Sequence, residues 1–337
     1  MKRLLALLIS LGFLGLILWK LDLAALGQSF RATRMDWFAA ALLLFIPLGA
    51  IIGYRWYRMV SNLAPITWGE AVRLVLAGNA MNLVLPSKMG DLTKAIFLKR
   101  SGRLDLARAT QIVVLEKMLD VAALAFWMLL GLLWAVARAG QIQFGAALHP
   151  VALSAALLGG MAVTVVAVLY FIPPGRLPGY SRWLEFLASK PRLGRVHRLF
   201  ASSHEVMTLL QRAEAGRWRI LGLSLLIWLL HLLQIRFFFL SLGAAVPLEA
   251  FCAFMPLAIF IGLFPLTIAG VGVRDAAIIL LFSPYYPPEV LAGVGMYVTL
   301  RYLVPAAGGL PFLGRYLAMS STEPKSTTSG VSEGKKD

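Results

Sequence analysis

The residues of this sequence able to do chemistry are ionisable side chains set inside long apolar runs: Asp91, Glu116, Lys117, Asp120, His231, Arg236, Arg274, Asp275 and Arg301. Each costs about 2.5–3.5 kcal/mol at a bilayer centre on insertion scales, so each must be paired or face a watery cavity. Glu116 and Asp120 are four residues apart and share one helical face. Two carboxylates on one face within a membrane need cations, and Arg236 and Arg301, on later runs, are the expected suppliers. A structural ion-pair network near the helix ends is the plain alternative, above all for Glu116 and Lys117. His231 has no second histidine at ligand spacing and reads as a packed helix residue.

Two broken stretches place further candidates. The first runs from Asn79 through Asn82, Pro86, Lys88 and Gly90 to Asp91; the second runs from Phe264 through Pro265, Gly270 and Gly272 to Arg274 and Asp275. Proline removes a backbone donor and glycine permits reversal, so a continuous helix is not expected across either. Broken helices survive in a membrane only where protein or a watery path covers their backbone, and paired ones mark transport sites. The restarted helices begin near Asp91 and Arg274, where free N–H groups favour an anion such as phosphate. Lys88 and Lys94 flank the first start, so a phosphate-bearing headgroup is expected between the two. Asp91 and Asp275 would then either contact the ligand or cap their own helices.

The elements that must hold these residues are membrane helices. The chain has 337 residues, 59% hydrophobic and 14% charged, with a mean hydropathy of +0.78. Soluble domains carry about 25% charged residues. The expected fold is an all-α polytopic membrane protein with about six full spans. The spans are Leu4–Trp19, Trp37–Ile52, Thr110–Val136, Val151–Ile172, Ile220–Leu242 and Val290–Leu313. The last is weakened by Pro305 and Gly308-Gly309. Two re-entrant broken-helix hairpins, 68–98 and 251–282, complete an inverted repeat. Residues 20–36 read as an interfacial amphipathic helix. Gly49-x-x-x-Gly53 invites a close helix neighbour, and Arg55 and Arg58 among Tyr54, Trp56 and Tyr57 read as an interfacial anchor.

The net charge of +16 gathers in loops beside apolar runs, which points to an anionic inner leaflet and not to nucleic acid. Basic loops place both termini, 54–68, 99–108 and the 173–218 connector on the cytoplasmic side. One cysteine, Cys252, excludes a disulfide framework or a cysteine metal site within the chain. No nucleotide-binding P-loop, H-E-x-x-H, G-x-S-x-G or paired acidic metal motif is present. No catalytic residue, metal or cofactor is therefore expected, and the chain reads as no enzyme.

The run Asn79–Asp91 with Lys94, the Glu116–Asp120 pair, and Pro265, Gly270, Gly272 and Asp275 together resemble the lysylphosphatidylglycerol synthase transmembrane-region family. The resemblance covers roughly residues 1–316. At the second break the family commonly carries Glu where this chain has Asp275. The resemblance implies a flippase-like transmembrane domain over 1–319 and a stand-alone member lacking the soluble synthase domain; residues 320–337, rich in Ser, Thr, Lys, Glu and Gly, read by composition as a disordered polar tail. The resemblance also implies a bacterial-type cytoplasmic (inner) membrane protein that moves a phosphate-containing lipid between leaflets, with aminoacylated and polyprenyl-linked lipids among the candidates. The implied partners are that lipid and either a second copy or a lipid-biosynthesis protein. The alternative is a non-transporting accessory subunit of a lipid or glycan biosynthesis enzyme.

Overall fold

In a computed structural model, residues 22–84, 90–137, 214–262 and 272–318 are described, with isolated positions between 159 and 189. These described residues are helical throughout their ordered elements, with no strand. The expected spans at Leu4–Trp19 and Val151–Ile172, the connector and the polar tail lie wholly or mostly outside them, as do Pro86, Lys88, Pro265 and Gly270.

Asp22 starts the first described helix, α1 (Leu23–Arg31), by accepting from the backbone N–H groups of Ala24 and Ala25. Leu26 and Phe30 of α1 lie over Gly293. Helices α2 (Met35–Leu43) and α3 (Phe45–Val60) form one apolar rod of 26 residues. Then come α4 (Trp68–Val84), α5 (Leu92–Arg100) and α6 (Leu106–Ala137). The second half holds α7 (Glu214–Ser241), α8 (Leu248–Ile261), α9 (Val273–Phe282) and α10 (Pro288–Ala318).

Among the described residues, four stretches are long and apolar enough to cross a bilayer: Met35–Val60, Leu106–Ala135, Gly216–Ser241 and Pro288–Gly314. They coincide with four of the six expected spans. Pro305 and Pro311 do not end α10, which continues to Ala318. Membrane helices tolerate proline where neighbouring groups satisfy the freed carbonyls.

Each break has a short helix on both sides. At the first, Gly90 lies so close to the last turn of α4 that a Cβ there would strike the backbone of Gly78, Met81 and Asn82. The restart at α5 is thus packed onto the helix that precedes it, and only glycine fits. At the second, Gly272 has φ +92°, a region that side chains other than glycine rarely enter. Gly53 of the early glycine pair meets Val72 of α4, while a Cβ on Gly49 would meet nothing within 4 Å.

The two halves exchange partners. Helix α4, before the first break, packs against α10 of the second half, and α8, before the second break, packs against α6 of the first. Each crossing is made by a glycine. A Cβ on Gly309 would strike the carbonyl of Leu76, and a Cβ on Gly131 would strike the carbonyl of Cys252. Close approach of this kind is how membrane helices gain contact without a hydrophobic driving force.

Among the described residues, two apolar cores result. One gathers Trp56, Met59, Leu74, Phe97, Leu98 and Leu119; the other gathers Leu124, Met128, Phe238, Phe239, Phe254 and Phe282. Helix α6 belongs to both and passes from the first to the second between Leu119 and Leu124. Asp120 stands at that seam.

Candidate functional site

Three cations and three carboxylates close a ring beside the seam. Arg55 of α3 reaches Glu116 at 3.3 Å and Asp120 at 2.7 Å, both on α6. Lys94 of α5 reaches Glu116 at 2.5 Å and Asp91, just before α5, at 3.1 Å. Lys117 of α6 reaches Asp91 at 2.8 Å and Asp120 at 3.6 Å. Every member has two partners of opposite sign, and the charges alternate around the circuit. The ring is electrically neutral.

Local structure explains the arrangement. The four-residue spacing of Glu116 and Asp120 puts both on one face of α6, and Lys117 lies beside them. The packing of Gly90 onto α4 seats the head of α5 there, which delivers Asp91 and Lys94. Arg55 follows Gly53 by two residues, on the helix that Gly53 allows to press against α4. Arg55 also donates to Ser224 Oγ of α7 at 3.0 Å, and Lys94 Nζ lies 4.4 Å from the Trp56 ring centroid. Arg55, Lys94 and Glu116 are almost wholly buried, whereas the side chain of Lys117 is 42% exposed. A buried pair broken on one side leaves an uncompensated charge, so a closed circuit suits this depth better than isolated pairs.

The ring borders a cavity of about 170 Å³. Its remaining wall includes apolar Ile52, Leu83 and Ile227, the amides of Asn79 and Asn82, and Arg301 of α10. Asn82 Nδ2 approaches Asp91 at 3.5 Å, the limit of a hydrogen bond. Arg301 is only 9% exposed. Its Nε and Nη1 are buried without a hydrogen-bond partner, and it forms no ion pair among the described residues.

Sequence-derived candidates therefore divide into groups. Asn79, Asn82, Asp91, Lys94, Glu116, Asp120 and Arg301 line one cavity. Arg274 and Asp275 form a separate buried pair on α9, in which Arg274 also donates to Thr299 Oγ1 at 2.9 Å and to the Gly295 carbonyl at 3.0 Å. Arg236 stands apart, with its guanidinium 5.4 Å from the Phe251 ring centroid. Lys88 lies outside the described residues.

The pairing differs from the expectation in two respects. Neither Arg236 nor Arg301 neutralises Glu116 and Asp120; Arg55 does, with Lys94 and Lys117. Arg55 had the look of an interfacial anchor because aromatics surround it. The contrary signal was Met59-Val60 beyond it, which continues the apolar run and sets Arg55 inside it. The two head-of-helix carboxylates also differ in role. Asp91 makes no capping hydrogen bond and belongs to the ring. Asp275 accepts from the Gly272 N–H at 3.0 Å, closing the first turn of α9. His231 lies on the cavity wall, edge-on to Trp228 with centroids 5.6 Å apart. No cluster of His, Cys, Asp and Glu able to hold a metal is present among the described residues.

The family model described as lysylphosphatidylglycerol synthase TM region matches residues 3–328. No curated protein and no solved structure matches the chain.

Proposed function

Because the chain belongs to the lysylphosphatidylglycerol synthase TM region family, we propose that it is a multi-pass membrane protein that moves a phosphate-containing lipid between leaflets. The observation that carries this reading is the cavity beside the ring. It is small and lined by charged and apolar side chains together, and much of its wall comes from the helices long and apolar enough to span a bilayer. A cavity of about 170 Å³ lies below the ~300–1,000 Å³ of sites that enclose a whole drug-sized ligand. It suits a headgroup whose acyl chains stay in the membrane.

The exchanged packing supports an inverted repeat. Helices α3 to α6 correspond to α7 to α10, with Gly131 and Gly309 at matching crossings. In this reading the segments α4–α5 and α8–α9 are re-entrant hairpins of opposite entry. Rocking of one half against the other would expose the cavity alternately. The protein resides in a cytoplasmic membrane with both termini inside, the side favoured by its basic loops. The family match is to a transmembrane region, and the proposed action needs no catalytic residue, cofactor or metal.

A leaflet-exchange assay in proteoliposomes tests the proposal. The protein should accelerate transbilayer movement of at least one phosphate-containing lipid over protein-free vesicles, and Asp120→Ala and Arg301→Ala should slow it. No acceleration for anionic, aminoacylated or polyprenyl-phosphate lipids would sink the reading. Loss of a lipid product in cells without exchange in vesicles would favour the accessory-subunit role instead.

A further inference from the structure

Arg301 and the ring together define which charge the cavity accepts. Within the ring each carboxylate already faces two cations, and each cation faces two carboxylates. No ring carboxylate is left over for a cationic ligand, and no ring cation for an anionic one. Among the described residues that line the cavity, Arg301 is the cation outside this pairing. It lines the same cavity, is 9% exposed, and turns two buried nitrogens to no partner. An unpaired guanidinium in this setting is costly, because burial penalises a charge that nothing compensates. A ligand supplying one negative charge and planar or tetrahedral oxygen acceptors would remove that cost, and guanidinium geometry matches phosphate oxygens.

Resting on the lipid-translocase reading, we infer that Arg301 is the anchor for a singly charged phosphodiester headgroup. The neutral ring makes the cavity selective for net-anionic lipids over zwitterionic or cationic, aminoacylated ones. The discrimination has two parts. A phosphodiester monoanion balances the charge of Arg301, which has no ion-pair partner among the described residues. An added ammonium group would find every carboxylate engaged and would stand in the same cavity as Arg301, where like charges repel in a poorly screened space. The carboxylates Glu116 and Asp120 thus hold the ring cations in place and do not seat a cationic headgroup.

The test is binding to the purified full chain in zwitterionic nanodiscs. The probes are short-chain phosphatidylglycerol, its lysyl ester, short-chain phosphatidylcholine and soluble glycerol phosphate. Phosphatidylglycerol should bind at least tenfold more tightly than the lysyl ester or phosphatidylcholine. Arg301→Gln should remove that preference, and Arg301→Lys should keep part of it. Comparable affinity for the three lipids in wild-type protein would overturn the inference even if no Arg301 variant folds, as would preference for the lysyl ester. Glycerol phosphate binding as tightly as phosphatidylglycerol would overturn the lipid source by showing a soluble anion site. The leaflet-exchange assay separates the two proposals. Exchange without anionic preference removes the inference and leaves the translocase reading; anionic preference without exchange does the reverse.

Discussion

Lys94 Nζ and Glu116 Oε2 lie 2.5 Å apart, with both side chains at most 3% exposed. They join α5, the helix restarted after the first break, to α6, the span that crosses both apolar cores. Glu116 also receives Arg55, so one carboxylate links three helices. Replacing it with glutamine keeps the shape and leaves two buried cations short of a partner. Glu116→Gln should cost about 3–5 kcal/mol, the usual penalty for breaking a buried pair on one side. Thermal unfolding of the detergent-solubilised protein reads this loss. Asp120→Asn, at the 20% exposed edge of the ring, should cost less. Equal and small shifts for both would mean that the ring is not a structural unit.

The matched glycine crossings make a second prediction. A methyl group on Gly309 or Gly131 would strike a carbonyl of the facing helix. Backbone cannot yield as a flexible side chain can, so each alanine should cost about 1–3 kcal/mol by overpacking. The two variants should lose stability to similar degrees, since their surroundings are alike. Gly49→Ala, where nothing lies within 4 Å, should unfold with the wild type. Tolerance of Gly309→Ala would mean that α4 and α10 are not held at this distance.

At the second break, the turn and the charge pair can be separated. Gly272→Ala forces a side chain into φ +92°, at a cost of about 1–3 kcal/mol, and leaves Arg274 and Asp275 in place. Asp275→Ala removes the acceptor for the Gly272 N–H and leaves Arg274 buried without its carboxylate. The second variant should be the less stable in the same unfolding measurement. The reverse order would make the Arg274–Asp275 pair dispensable.

What could be read from the sequence followed from periodicity and punctuation. Long apolar runs located four spans, and proline with glycine located both breaks. Charges inside apolar runs drew attention to Asp91, Glu116 and Asp120, which do meet. The choice of partner could not be read, because it depends on which helices cross. Arg55 reaches Glu116 and Asp120 of α6 two residues beyond the Gly53–Val72 contact with α4, a feature of three dimensions only. Likewise, Asp91 and Asp275 occupy similar places in sequence but divide into ring member and helix cap. The difference is the neighbour: Asp91 meets Lys94 and Lys117, whereas Asp275 meets its own Arg274 and the Gly272 N–H.

Exposure distinguishes the two ring lysines, and a charge-restoring chemistry tests it. The side chain of Lys94 is 1% exposed and that of Lys117 is 42% exposed. In a background with Cys252, the single cysteine, changed to alanine, Lys117→Cys removes the cation that faces Asp91 and Asp120. Two carboxylates then lose one of their two partners, and the unfolding temperature should fall. An aminoethyl methanethiosulfonate reagent should reach the new thiol from the cavity, rebuild an ammonium at nearly lysine length and recover most of the lost stability. A sulfonatoethyl reagent of similar size should react too, but it places an anion between two carboxylates and should lower stability further. Opposite effects from two reagents that differ in charge would show that the ring is held by alternation of sign and not by packing. Lys94→Cys should react far more slowly with both reagents, because the Lys94 side chain, although it borders the cavity, is 1% exposed and held against Trp56, Asp91 and Glu116. Equal labelling at both positions would show that this difference in exposure does not govern access to the ring.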